Sequence, residues 1–481
     1  MMSAMSGRTR TEHDSLGDIE VPREVYWGAH TARALENFPI SRRSISNHPD
    51  LVRALAMVKQ AAARANRELG LLDRGKANAI ELACARILRD ELHDQFVVGV
   101  IQGGAGTSTN MNANEVIANA ALEFLGRARG DYTHIHPIDD VNQSQSTNDV
   151  YPTAIRIAMI FGVCRLLVEH RDLAEAFAAK GVEFAAVLKV GRTQLQDAVP
   201  MTLGQEFRGF ANTLREDQDR LAESIAWLGE INLGATAIGT GITADPLYAE
   251  TVRRHLCEIT GIDLVTAPDL IEATSDTGVF MTLSGILKRS AVKLSKICND
   301  LRLLSSGPQA GFGEIALPAR QAGSSIMPGK VNPVVPEVVN QVAFSVIGAD
   351  ATVTAAAEAG QLQLNAFEPV MAQALLQSLA WMTNACRTLR VNCVLGITAN
   401  TGRLSGQVES SVGVVTALTP YIGYAASAAL AHEALTGDRS IHELVLRHGL
   451  MDAELLDKVL APERLSGIVP PTGSIPLIPV D

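Results

Sequence analysis

The sequence predicts an all-α fold organised around a central bundle of long helices. Three observations carry this. Apolar residues recur at steps of three and four over most of the chain, strand-like alternation is scarce, and a hydrophobic content of 47% includes only 4% aromatics. The core must then be filled by Ala, Val, Leu and Ile, side chains that suit closely spaced helices. At 481 residues the chain exceeds one ordinary core, and a prior of about 150 residues per domain suggests roughly three lobes.

The first lobe spans residues 1–149. From Pro49, the residues Leu51, Leu55, Val58, Ala62, Ala65 and Leu69 mark one face of an amphipathic helix that ends near Gly70. Ile80, Cys84 and Ile87 mark a second helix. The apolar run Phe96 to Ile101 reads as an extended segment feeding a glycine loop at Gly103, Gly104 and Gly106. Long Ala- and Leu-rich segments over 150–398 form the bundle. One of them starts after Asn332-Pro333, with Val335, Val339, Val342 and Val346 on one stripe and Pro336 in its tolerant first turn. From 399 to 481 the segments shorten and prolines return, giving a small C-terminal lobe with an extended tail over 467–481.

A formal net charge of -11, spread along the chain, argues against a nucleic-acid surface. Six scattered cysteines without a C-x-x-C pair suggest neither a disulfide framework nor a zinc site, and fit reduced thiols in a cytoplasmic protein. Met1 to Thr11 lack an apolar core, so no signal peptide is expected, and no uninterrupted apolar stretch of about 18 residues suggests a membrane span.

Three polar segments interrupt the helical background. Gln102 to Glu115 runs from a glycine turn into a helix start, where Thr107 and open backbone N–H groups suit an anion. Capping hydroxyls read equally well there. Asn142 to Asp149 packs neutral donors and acceptors before a long helix, and Ser146, Thr147 and Asn148 can hold a carboxylate or simply cap that helix. The third, Gly323-Ser324-Ser325-Ile326-Met327-Pro328-Gly329-Lys330-Val331-Asn332-Pro333, imitates a phosphate loop and fails the test. Five residues, not four, separate Gly323 from Gly329, and Val331 stands where a magnesium-binding hydroxyl belongs. It offers instead a serine hydroxyl, backbone donors and a cation, or a solvated loop.

This third segment resembles the signature of the aspartase and fumarase superfamily. The similarity runs from Glu20-Val21-Pro22 and Gly28-Ala29-His30-Thr31, through both other polar segments, to Thr416 through Tyr424. Three local choices resemble aspartases more than class II fumarases. Gln102 to Ser108 differs from the fumarase form, Val334 to Val342 looks like the aspartase continuation, and Gln194 in Gly191-Arg192-Thr193-Gln194 stands where fumarases carry a catalytic histidine.

The resemblance implies a three-lobed, all-helical subunit, a homotetramer with active sites shared among three subunits, and reversible anti-elimination of ammonia from L-aspartate to fumarate. A fumarate hydratase is the nearest rival and a catalytically silent structural member the other; the intact Ser324, Lys330 and Asn332 set speaks against the latter. By the same resemblance Ser324 is the general base, its alkoxide supported by loop N–H groups, and the reaction passes through an aci-carboxylate that needs preorganised donors. Thr107, Ser146, Thr147 and Ser325 are implied around the reacting carboxylate. Lys330 and Asn332 would hold the other, with Arg33 and Thr193 nearby. Asn148 and Gln194 suit the leaving ammonium, and Glu337 a supporting role that competes with plain helix capping. No cofactor and no catalytic metal are expected, a divalent cation such as Mg serving at most as activator, and the His134 and His136 pair lacks a third ligand. Ile138 and Asp140 depart from the family in a loop that resembles an accessory dicarboxylate site of fumarases, which puts binding there in doubt.

Overall fold

The computed structural model describes residues 9–437 and 439–467. Most of Met1 to Thr11, where no signal peptide is expected, and the extended tail beyond Gly467 lie outside the described residues. After an antiparallel hairpin, Thr9–Asp14 with Gly17–Pro22, come α1 (Ala29–Asn37), α2 (Pro49–Glu68), α3 (Arg74–Leu88), α4 (Thr107–Phe124) and α5 (Thr147–Glu183). A second hairpin, Leu188–Thr193 with Gln196–Thr202, precedes α6 (Leu203–Leu228), α7 (Tyr248–Thr260), α8 (Leu270–Ser275), α9 (Gly278–Leu304), α10 (Val334–Glu358) and α11 (Glu368–Asn392). Short helices follow, beginning with α12 (Thr401–Ser410) and α13 (Thr419–Thr436). The strands among the described residues form only two-stranded sheets, so the fold is all-α as the sequence predicts.

Chain contacts divide these residues into two compact units. The first gathers residues 1–168, 217–292 and 342–383, the second 169–216, 293–341 and 384–481. The sequence-based boundary after 149 falls inside α5, and that after 398 inside the short strand Thr398–Ala399.

In the first unit, α2 is buried almost all round rather than on one face, because it packs against both α3 and α7. Lys59, a charged residue bordering the apolar face, is 0% exposed. Leu69 ends α2, and Asp73 caps the next helix by accepting from the N–H groups of Gly75 and Lys76. The run Phe96 to Ile101 is irregular, with an isolated bridge between Ser44 and Gly99 and backbone hydrogen bonds that join Phe96, Val98 and Val100 to residues 43–46.

In the second unit, Val190 of the second hairpin shares a core with Val408, Val414, Val415, Leu418 and Tyr421. The approach is close: a Cβ on Gly413 would sit 2.1 Å from the Ala198 carbonyl oxygen. Both turn residues of the hairpin, Gln194 and Leu195, have positive φ, 54° and 62°, which matches the twist of a two-residue connection.

Among the described residues two helices, α5 and α10, are long and apolar enough to cross a bilayer by length and composition alone. The most apolar 18-residue window of α5 is 78% buried, as befits a core helix, whereas that of α10 is only 28% buried. Val338, Phe344 and Ile347 project from α10 at 45%, 61% and 38% exposure.

Gly413→Ala forces backbone apart at the hairpin. We expect it to destabilise the fold by about 1–3 kcal/mol, as overpacking does, seen as a lowered Tm in thermal melts.

Candidate functional site

The glycine turn before α4 has three successive left-handed residues, Gly104, Ala105 and Gly106, with φ of 87°, 53° and 88°. A Cβ on Gly106 would meet the Tyr151 ring at 2.2 Å, so glycine is required there and α4 starts hard against α5. Thr107, exposed in the first turn, donates from Oγ1 to the Gly104 carbonyl at 2.7 Å. One turn on, Asn110 Nδ2 donates to Thr147 Oγ1 at 3.0 Å, which brings the first and second polar segments into one network.

The second segment is pinned from below. Asn142 Oδ1 accepts from Lys59 Nζ at 2.8 Å and from Asn110 and Asn114 Nδ2, both at 3.1 Å. Lys59 also donates to Gln145 Oε1 at 2.9 Å, and Asn66 Nδ2 to the Gln143 carbonyl at 2.9 Å. At the start of α5, Asp149 accepts from the N–H groups of Ser146, Gly234 and Thr236. Burial dominates both charges. It pulls Lys59 down to about 7, against the attraction of Asp149, and pushes Asp149 up to about 6, against its three N–H donors and Lys59. Asn148 Nδ2 donates to the Ala237 carbonyl at 2.7 Å, leaving Oδ1 without a partner among the described residues.

Arg33 stands apart from this network. Its Nε and Nη2 clasp Asp14 at 2.7 and 2.9 Å, and Nη2 also reaches the Gly17 carbonyl. The Arg33 guanidinium holds Asp14 below the usual carboxylate range.

The second unit carries the remaining residues. Ser324 is half-buried, and its Oγ accepts two backbone N–H groups, from Ile326 at 3.2 Å and Met327 at 3.0 Å. The loop closes on itself through Gly323 N to Lys330 O at 3.0 Å and Asn332 Nδ2 to Gly323 O at 2.8 Å. That closure leaves no room at Gly323 for a Cβ, which would lie 2.3 Å from the Lys330 carbonyl oxygen. Ser325 and Lys330 are exposed beside it, and Glu337 lies in the first turn of α10. Thr193 and Gln194 are exposed at the hairpin tip, with no hydrogen bond to the 323–332 loop among the described residues. The hairpin's base is fixed by the fully buried Glu314, which pairs with Arg192 and, at 2.8 Å, with Lys189.

Lys59, Asn66, Asn110 and Asn114 were not singled out by sequence reasoning. A signal existed: Lys59 and Asn66 lie two helical turns apart on a stripe of α2 otherwise filled with apolar residues, Val52, Leu55, Ala56, Ala62 and Ala63. His136 Nδ1 accepts from the N–H groups of Ile138 and Asp139, and Asp140 pairs with Lys76 at 2.8 Å, so the departing loop is tied into local structure. No cluster of three or more His, Cys, Asp or Glu suited to a metal occurs among the described residues.

A family model described as Lyase matches residues 17–348, and one described as Fumarase C C-terminus matches 414–467. The chain belongs to this lyase family. Within it, the chain is 59% identical to an aspartate ammonia-lyase of Pseudomonas fluorescens, over 97% of this chain and 98% of that one. It is 53% identical to the aspartate ammonia-lyase of Escherichia coli K12, over 96% and 97%. Among solved structures, a Brucella melitensis protein titled fumarate lyase:delta crystallin, bound to cobalt, superposes with a TM-score of 0.93 at 56% identity, covering 95% and 99%. A class II fumarase from Schistosoma mansoni gives 0.91 at 34%, with the same coverage.

Lys59→Met keeps the volume and removes two donors beneath Asn142 and Gln145. Faster amide exchange over 142–148 is expected, with a stability loss of about 1–3 kcal/mol from the stranded acceptor. The Asp149 carboxyl, raised above its ordinary 3.8, contributes stability that is complete below that value and lost as pH rises through about 6. The Tm advantage of wild type over Asp149→Asn should therefore shrink from about pH 4 to about pH 6; an advantage that grows instead would contradict this.

Proposed function

We propose that this chain catalyses the reversible anti-elimination of ammonia from L-aspartate to give fumarate, with Ser324 as general base. The observation that carries it is the pair of N–H groups aimed at Ser324 Oγ, since an alkoxide at neutral pH needs such donors in place beforehand. The alkoxide takes the Cβ proton, and the electron pair moves into the adjacent carboxylate as a doubly charged aci-form. Its collapse forms the double bond and expels the amine.

Thr107, Ser146, Thr147 and Ser325 donate to the aci-carboxylate, each worth about 2.7–4 kcal/mol by analogy with a single oxyanion donor. Lys330 and Asn332 hold the other carboxylate, with Thr193 and the open Nη1 edge of Arg33 alongside. Asn148 offers its free Oδ1 to the ammonium, and Gln194 accepts there without adding a competing charge. Glu337 supports the loop from the start of α10.

The site is completed by segments of three subunits in a homotetramer. The apolar residues left exposed along α10 support that assembly, because such a helix face needs cover. The division into 1–149, 150–398 and 399–481 describes the subunit's lobes, and the protein works in the cytoplasm. The chemistry calls for no cofactor, with a divalent cation such as Mg acting away from the reacting atoms. A fumarate hydratase reading is disfavoured by Gln194 and by the higher identity to aspartate ammonia-lyases than to the fumarase.

Incubation with L-aspartate should release fumarate, followed by its ultraviolet absorbance, while L-malate should not; turnover of malate alone would overturn the reading. Ser324→Ala should cut kcat by about three orders of magnitude or more, through loss of the base and its alkoxide, with the tetramer intact.

A further inference from the structure

A cavity of about 450 Å³ in the first unit is lined by Arg156, Trp227, Glu230, Glu272, Asp276 and Thr282 among others, none of them in the polar segments above. Arg156, on α5, is 7% exposed. The only hydrogen bond of its guanidinium among the described residues is a long one, 3.4 Å from Nη1 to the Trp227 carbonyl, and its Cζ lies 5.5 Å from the Phe280 ring centroid. Five donors are thus nearly unused on a buried cation.

Glu230, Glu272, Asp276 and the buried Glu368 are near enough to favour its charge but form no ion pair with it. Glu272 and Asp276 are exposed at the mouth and Glu230 is half-buried. Crowding is felt there: burial, then Asp276 and Glu230, hold the Glu272 carboxyl above its usual range.

The arrangement is a buried positive charge behind a negative rim. A simple anion is repelled by three carboxylates before it reaches Arg156. A simple cation stops at the rim and leaves the guanidinium unpaired. A molecule with a carboxylate and an ammonium a few ångströms apart satisfies both ends at once. The four charges lining the cavity sum to a net negative value, so a second carboxylate on the ligand is penalised.

We propose that this cavity is a binding site for a zwitterionic amino acid without an acidic side chain, its carboxylate on Arg156 and its ammonium among Glu230, Glu272 and Asp276. None of its lining residues is assigned to the proposed reaction site, and neither reading depends on the other.

Calorimetric titration of the full-length protein with L-lysine, L-alanine and L-aspartate tests it. Saturable binding of lysine and alanine is expected, with lysine the tighter. Thr282→Trp, an exposed position whose side chain fills the cavity without changing charge, should weaken that binding by about tenfold or more while the KM for L-aspartate stays within about twofold. Arg156→Gln should weaken both ligands alike, and Glu272→Gln should weaken lysine more than alanine. Absence of saturable binding by lysine and alanine overturns the proposal, as does binding indifferent to Thr282→Trp. Aspartate binding as tightly as lysine and equally sensitive to Thr282→Trp overturns the charge assignment and with it the proposal.

Discussion

The amide oxygen of Asn142 takes hydrogen bonds from Lys59, Asn110 and Asn114 at once, and the polar segment before α5 hangs from that point. Helices α2 and α4 meet there through side chains rather than backbone, and Asn110 links the point to Thr147 at the start of α5. A buried lysine is costly, and here it is held by two neutral amide oxygens with a buried aspartate close by, so little of its charge reaches the surface. The hydroxyls of Ser146 and Thr147 stand beside this network while remaining uncharged, which suits the proposed role of meeting a dianion without binding its ground state too firmly.

The two units solve the same problem by different means. Around Asn142 the donors are side-chain amides fixed by burial. Around Ser324 they are backbone N–H groups, and the loop is shaped by Gly323 and closed by Lys330 and Asn332. Backbone donors cost no side-chain entropy and are lost only by substitution to proline, whereas amide side chains reach across helices. Lys330 gives its backbone carbonyl to that closure while its side chain stays exposed.

Much of this was legible in the sequence. Polar runs with glycines stand out in a chain that is otherwise helical periodicity, so all three segments could be located, and the valine stripe from Val335 located α10. Burial of Lys59 was not legible, because periodicity reports which positions are apolar and not how many neighbours surround a helix. The pairing of Arg33 with Asp14 was also hidden: it depends on a hairpin at the N-terminus whose strands carry little apolar alternation. Positive φ at Gln194 and Leu195 could not be read either, since neither is a residue type that advertises a turn.

The seating of the second hairpin against the C-terminal helices reaches further than packing. Val190 belongs to the same apolar cluster as Val415, Leu418 and Tyr421, and Gly413 presses on the opposite strand. A change of volume at Leu418 then moves the whole ribbon, tip included. Substitution of greasy residues more than two hundred positions downstream can thus shift the tip while leaving every polar group untouched.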